Sequence, residues 1–129
     1  MAGFTFEHIH LRSPDPEATA TFYERMFGAR LIRTMQAGVP RIDVELGGMQ
    51  VFIAAVPPDG KTAAAPVSPY QGLDHFGLTV TGIDAVVADL KQKGAEITRE
   101  PVTIRPGVRI AFLQGPEKVS IELIERTPA

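Results

Sequence analysis

Apolar positions along this chain recur with two periods, and the periods alternate in the same order twice. Ala18, Phe22 and Met26 repeat at a spacing of four, which predicts a helix over 16–27. Asp15 can cap it, Pro16 suits the first helical position, Glu17 favours the positive helix end, and Gly28 is the stop. Ile83, Val86, Val87 and Leu90 line one face of a second helix, 83–93. Thr81 is its expected cap, Asp84 holds the capping-box position, and Gly94 ends it. Elsewhere apolar and polar residues alternate with the period of a strand. This predicts strands 4–11, 29–34, 41–46 and 49–55 in the first half, and 73–80, 95–98, 108–113 and 118–125 in the second.

Each half therefore reads strand, helix, then three strands. FGARLIR in the first half answers KGAEITRE in the second, with Gly28 and Gly94 offset by 66 and His8 and His75 offset by 67. Repetition at one near-constant offset is firmer than any single element. Between the halves, VPPDGKTAAAPVSPYQG is rich in Pro, Ala and Gly and reads as a linker. The expectation is one α+β domain over 1–129, built from two βαβββ modules at 1–56 and 72–126 joined by linker 57–71.

Composition narrows the function classes. The 129 residues are 44% apolar, enough for a packed core. A net charge of −2 without a basic run argues against a nucleic-acid partner. The absence of cysteine rules out disulfides and thiolate metal sites. MAGFTFEH shows no basic stretch followed by an apolar one, so no signal peptide is expected. No apolar run approaches the roughly 20 residues that span a bilayer. A soluble cytoplasmic protein, without a membrane partner, is the expectation.

Strand alternation places the ionisable residues together. Ile9 and Leu11 point one way; His8 and His10 point the other. Phe76, Leu78 and Val80 oppose His75, and Val119, Ile121 and Leu123 oppose Glu122. If the apolar faces pack on the helices, His8, His75 and Glu122 share the other face. Two imidazoles and a carboxylate suit one borderline divalent ion, such as zinc, nickel, cobalt, manganese or iron(II). Each residue alone also fits a solvated strand face, but two of the chain's three histidines hold equivalent places in the repeat.

In strand 41–46, Ile42, Val44 and Leu46 are expected to face the helices, and Arg41, Asp43 and Glu45 the other side. Asp43 and Glu45 are candidate proton acceptors, and His10 is a candidate acid–base or supporting group. Arg41 and Arg109 are candidates for a substrate carboxylate or phosphate. Phe52, with Phe6, is a candidate pocket wall, and Tyr70, at the end of the linker, a candidate to close over a substrate.

EHIHL followed by PDPEATATFYERMFGA, then LDHFGLTVTGIDAVVADLKQKGAEI and FLQGPEKVSIELIE, resemble the vicinal oxygen chelate superfamily over nearly the whole chain. That superfamily includes glyoxalase I, methylmalonyl-CoA epimerase, extradiol dioxygenases, fosfomycin-resistance enzymes and bleomycin-binding proteins. The resemblance implies paired modules forming an incomplete mixed-sheet barrel around a metal cleft, with the helices outside. By position it implies His8, His75 and Glu122 as ligands of one divalent ion. It also implies a homodimer acting on a small molecule. One departure stands out: the repeat partner of Glu122 is Phe52, where glyoxalase I and the epimerases carry a fourth ligand, Glu or Gln. Gln50, two residues earlier on the same face, is the other candidate for that place. The epimerases also carry a general-base glutamate on strand 41–46, and Arg41 holds its place here. The expected activity is a glyoxalase-like lyase, isomerase or epimerase acting on vicinal oxygens by metal chelation and proton transfer. An iron(II) extradiol-type dioxygenase and a non-catalytic drug-binding protein are the alternatives.

Overall fold

Five segments of the first half condense on one open sheet. The computed structural model describes residues 3–128. Strand β1 (His8–Ser13) is followed by helix α1 (Pro16–Phe27) and strands β2 (Arg30–Gln36), β3 (Val39–Leu46) and β4 (Met49–Ala55). Their order in the sheet is β1-β4-β3-β2, with β1 parallel to β4 and the other pairs antiparallel. Ile42, Val44, Leu46, Val51 and Ile53 are buried, as the alternation predicts.

The sequence reading needs three adjustments in this half. The first strand is shifted: it was expected over 4–11 but runs from His8 to Ser13, leaving Phe4 and Phe6 exposed. Helix α1 buries Thr19, Ala20, Tyr23 and Met26, whereas Ala18 is exposed and Phe22 half-buried. A strict spacing of four drifts by about 40° per step around a helix of 3.6 residues per turn. The face that packs therefore follows i, i+4, i+7 through Thr19, Tyr23 and Met26. Strands β2 and β3 are also longer than expected, because Ala37 and Gly38, at φ 50° and 77°, close a tight hairpin. Pro40 is tolerated because β4 pairs with β3 only from Ile42 onward.

The second half repeats the arrangement. It contains β5 (Phe76–Thr79), α2 (Ile83–Gln92), β6 (Glu96–Arg105), β7 (Val108–Gln114), a short 3-10 turn at Pro116–Lys118, and β8 (Ser120–Arg126). The sheet order is β5-β8-β7-β6, with β5 parallel to β8. Ile83, Val87 and Leu90 of α2 and Ala111, Leu113, Ile121 and Leu123 of the sheet are buried, and α2 packs on β6, β7 and β8. The chain divides into two compact units between Ala63 and Ala64, inside the stretch read as a linker.

Here too the structure corrects details. Strand β6 was expected to stop at 98 but continues to Arg105 through Pro101. An edge strand with register shifts accommodates a proline that a central strand would not. Thr81 does not cap α2. Gly82 stands at the cap position with φ 73°, and the Glu125 carboxylate of β8 accepts from the backbone N–H groups of Gly82 and Ile83. Asp84 does not form a capping box; it pairs with Arg109 at 2.7 Å.

Candidate functional site

In the second unit, His75 lies immediately before β5, and Glu122 lies on β8 opposite the buried Ile121 and Leu123. Gly77 is the register partner of Glu122, and it offers no side chain to compete with the carboxylate. Glu122 reaches His75, with Oε1 3.0 Å from Nε2. The other ring nitrogen, Nδ1, is 2.7 Å from Asp74 Oδ2. The edge of the Phe112 ring completes the surroundings, 5.0 Å from the imidazole between centroids. Hydrogen bonding to Asp74 raises the His75 pKa above 6.5, desolvation opposes the rise, and Glu122 adds to it. A neutral imidazole has one N–H to give, yet carboxylates approach both nitrogens. The gap between Nε2 and Oε1 thus calls for a positive charge, whether a proton or a metal ion.

In the first unit the imidazole has a different neighbour. His8 stacks on Phe52, with centroids 4.0 Å apart and planes inclined by 23°. Its Nδ1 contacts the Glu7 carboxylate. Across the sheet, His10, Phe52 and Asp43 form one row in register. The Arg41 guanidinium sits 4.3 Å from the Phe52 centroid and its Nε donates to both oxygens of Asp43, at 3.0 and 3.1 Å. Arg41 Nη1 donates to Gln36 Oε1 at 3.0 Å. His10 and Arg41 line a pocket of about 800 Å³ that extends past Met35 and Val39 to Glu17 and Arg33; Phe52, expected as a pocket wall, does not line it, and neither does Asp43.

The remaining candidates are dispersed. Gln50 is the register partner of His8 but is exposed. Glu45 pairs with Arg30 at 3.2 Å, and Tyr70 is exposed on the segment between the units. Arg109 pairs with Asp84 of α2, which places it on the helix side of its sheet, away from the face that carries Glu122. Among the described residues, no group of three or more His, Asp or Glu gathers as a metal-holding cluster. The second unit brings His75 and Glu122 together, and in the first unit His8 stacks on Phe52.

Sequence reasoning missed two features. One is the acid immediately before each repeated histidine, Glu7 and Asp74, which was visible as EH and DH at the same offset. The other needs the register. Asp43 lies opposite Phe52, and Phe112 lies opposite Glu122, so the acid and the aromatic have changed places between the two sheets.

The sequence profile of the glyoxalase/bleomycin resistance protein/dioxygenase superfamily matches residues 5–123. The chain is 30% identical to lactoylglutathione lyase GLX1 of Arabidopsis thaliana, over 95% of this chain and 44% of the relative. It therefore spans less than half the length of that plant protein. It is 26% identical to a lactoylglutathione lyase of Escherichia coli O157:H7, over 95% of this chain and 93% of that protein. The fold is shared with a glyoxalase family protein from Enterococcus faecalis, at a TM-score of 0.76 and 24% identity, covering 97% of this chain and all of the other. Among the described residues no helix is long and apolar enough to cross a membrane. With its repeated βαβββ units and a profile match over residues 5–123, the chain belongs to the glyoxalase/bleomycin resistance protein/dioxygenase superfamily.

Proposed function

We propose that the protein is a divalent-metal-dependent lyase, isomerase or epimerase of the glyoxalase type, acting on a small substrate with vicinal oxygens. The observation that carries this reading is the His75–Glu122 pair, 3.0 Å apart, with Asp74 on the far ring nitrogen. Two ligands bound about 2.0–2.1 Å from one ion lie about 3 Å apart, so the donor set fits. Metal-bound histidines commonly carry a carboxylate on their other nitrogen, as His75 does. The repeat assigns His8 the same role as His75. The one-domain organisation, with modules at 1–56 and 72–126, belongs to this proposal, as do a homodimer and a cytoplasmic location.

An ion held by these residues supplies Lewis-acid stabilisation of negative charge developing on a substrate oxygen. Asp43 is the proton acceptor of the reading. It is held by Arg41 on the face that carries His8, and its side chain is only 15% exposed. His10 is positioned beside the pocket to donate a proton or a hydrogen bond, and Arg41 to neutralise a substrate anion. Glu45, tied to Arg30, is the weaker acceptor.

Metal content by elemental mass spectrometry tests the reading, with wild type beside His8→Ala, His75→Ala and Glu122→Ala. Near-stoichiometric metal lost from folded variants is expected. No metal after loading with zinc, nickel, cobalt, manganese and iron(II) in turn overturns it and leaves a binding protein. Phe52 specifically favours a second reading. It fills the place of a fourth ligand, and a His-His-Glu set is that of an iron(II) dioxygenase. Bound iron with oxygen uptake on a catechol selects that reading.

A further inference from the structure

We infer that Asp74 and Glu7 are positioning residues, each holding the histidine that follows it with Nδ1–H donated and Nε2 presented. The inference rests on the reading of His75 and His8 as metal ligands, and deepens it by saying how they are oriented.

Neighbouring residues in a strand point to opposite faces, so an acid cannot normally reach the imidazole next to it. Both couples escape that rule by their place in the chain. Asp74 and His75 lie just before β5 begins at Phe76, and Glu7 lies just before β1 begins at His8. At the strand entrance the backbone is free to turn the acid back onto the ring. The resulting contact is Asp74 Oδ2 to His75 Nδ1 at 2.7 Å, and in the first unit the Glu7 carboxylate approaches His8 Nδ1 in the same way. The same nitrogen is engaged in both copies.

The ring nitrogen that carries the proton is set by the bond the other nitrogen makes. An acceptor at Nδ1 fixes the proton there and leaves the Nε2 lone pair for an ion. In the second unit Nε2 lies 3.0 Å from Glu122 Oε1, the other proposed ligand of the ion. His10 is an internal control, because Ile9 and Leu11 flank it and supply no acid.

The test is nitrogen NMR of histidine-labelled protein at alkaline pH, where each imidazole is neutral, together with zinc titration calorimetry. The Asp74 and Glu7 side chains are 54% and 67% exposed, so Asp74→Ala and Glu7→Ala are expected to fold, which circular dichroism checks. In the zinc-free wild type, His8 and His75 are expected as Nδ1–H tautomers. Asp74→Ala is expected to shift His75 alone towards Nε2–H and to weaken zinc binding about 10–100-fold. Asp74→Asn retains an acceptor oxygen, so it is expected to keep the tautomer and lose less affinity. An unchanged His75 tautomer in Asp74→Ala overturns the inference, as does a changed tautomer with unchanged zinc affinity. A wild type with both histidines as Nδ1–H tautomers that binds neither zinc nor, in turn, nickel, cobalt, manganese or iron(II) overturns the metal reading itself, and the wild-type titrations distinguish that failure from the others.

Discussion

Glu125→Ala measures how strongly the last strand holds the second helix. The Glu125 carboxylate accepts from Gly82 N–H and from Ile83 N–H, the latter at 3.3 Å, and Gly82 has no side chain to replace it. Losing a capping acceptor costs about 1 kcal/mol. Losing a negative charge at the positive end of the helix costs about 0.3–1 kcal/mol. Asp84 stays in the first turn and keeps part of the charge effect, so the total is about 1–2 kcal/mol. For a chain of this size that is a fall in Tm of about 3–8 °C. Glu125→Gln retains one neutral acceptor and is expected to cost about half as much. Urea unfolding at neutral pH, with an unchanged m-value, is the assay. A cost below about 0.3 kcal/mol for Glu125→Ala refutes the argument, because α2 then does not depend on a carboxylate from β8.

Three further outcomes follow from local geometry. Gly107→Ala is expected to cost about 1–3 kcal/mol by thermal unfolding. Its φ is 78°, and a Cβ there meets Thr127 O at 2.6 Å. Ser13→Ala is expected to cost about 1–3 kcal/mol in denaturant. It removes a buried hydroxyl that accepts from Thr19 Oγ1 at 2.7 Å and from the Asp15 N–H at 3.0 Å. Arg109 hydrogen-bonds Asp84 and holds its pKa below 3.8. A depressed carboxylate pKa stabilises the fold above the unfolded value and loses that contribution as pH falls through the folded one. Arg109→Gln is therefore expected to flatten the fall in stability below about pH 4, read from urea midpoints across an acid series; an unchanged slope counts against the pairing.

The sequence was most legible where one signal acted alone. Alternation identified Ile42, Val44 and Leu46 as buried, because each must choose between two faces of one sheet. The repeated order of strand, helix and three strands was visible from the helix and strand periods, and the motifs around His8, His75 and Glu122 carried the family. Legibility failed where two distant segments decide the outcome. The cap of α2 lies on β8, 43 residues away, and no local pattern around Thr81 announces it. Strand β6 passes Pro101 only because it is an edge, and sheet order is not written in the strand itself. In the candidate site, the ligand-type residues were visible by type and spacing. The Arg41–Asp43 clamp and the stacking of His8 on Phe52 were not, because they depend on side-chain rotamers and cross-strand register.

The exchanged acid and aromatic bear on how the two halves came to differ. If one ancestral module was duplicated, the pairs Asp43–Phe52 and Phe112–Glu122 are separated by two substitutions. The intermediate carries either two carboxylates side by side or none. Like charges directly opposite on neighbouring strands repel. A cation nearby removes that penalty, and Arg41 provides one where the second half has the buried Ile110. On the route through two carboxylates, an arginine at position 41 lets the second acid appear without that repulsion; on the route through none, no cation is needed. Arg41 thus makes the first unit the one of the two that can carry an acid on either strand of the pair.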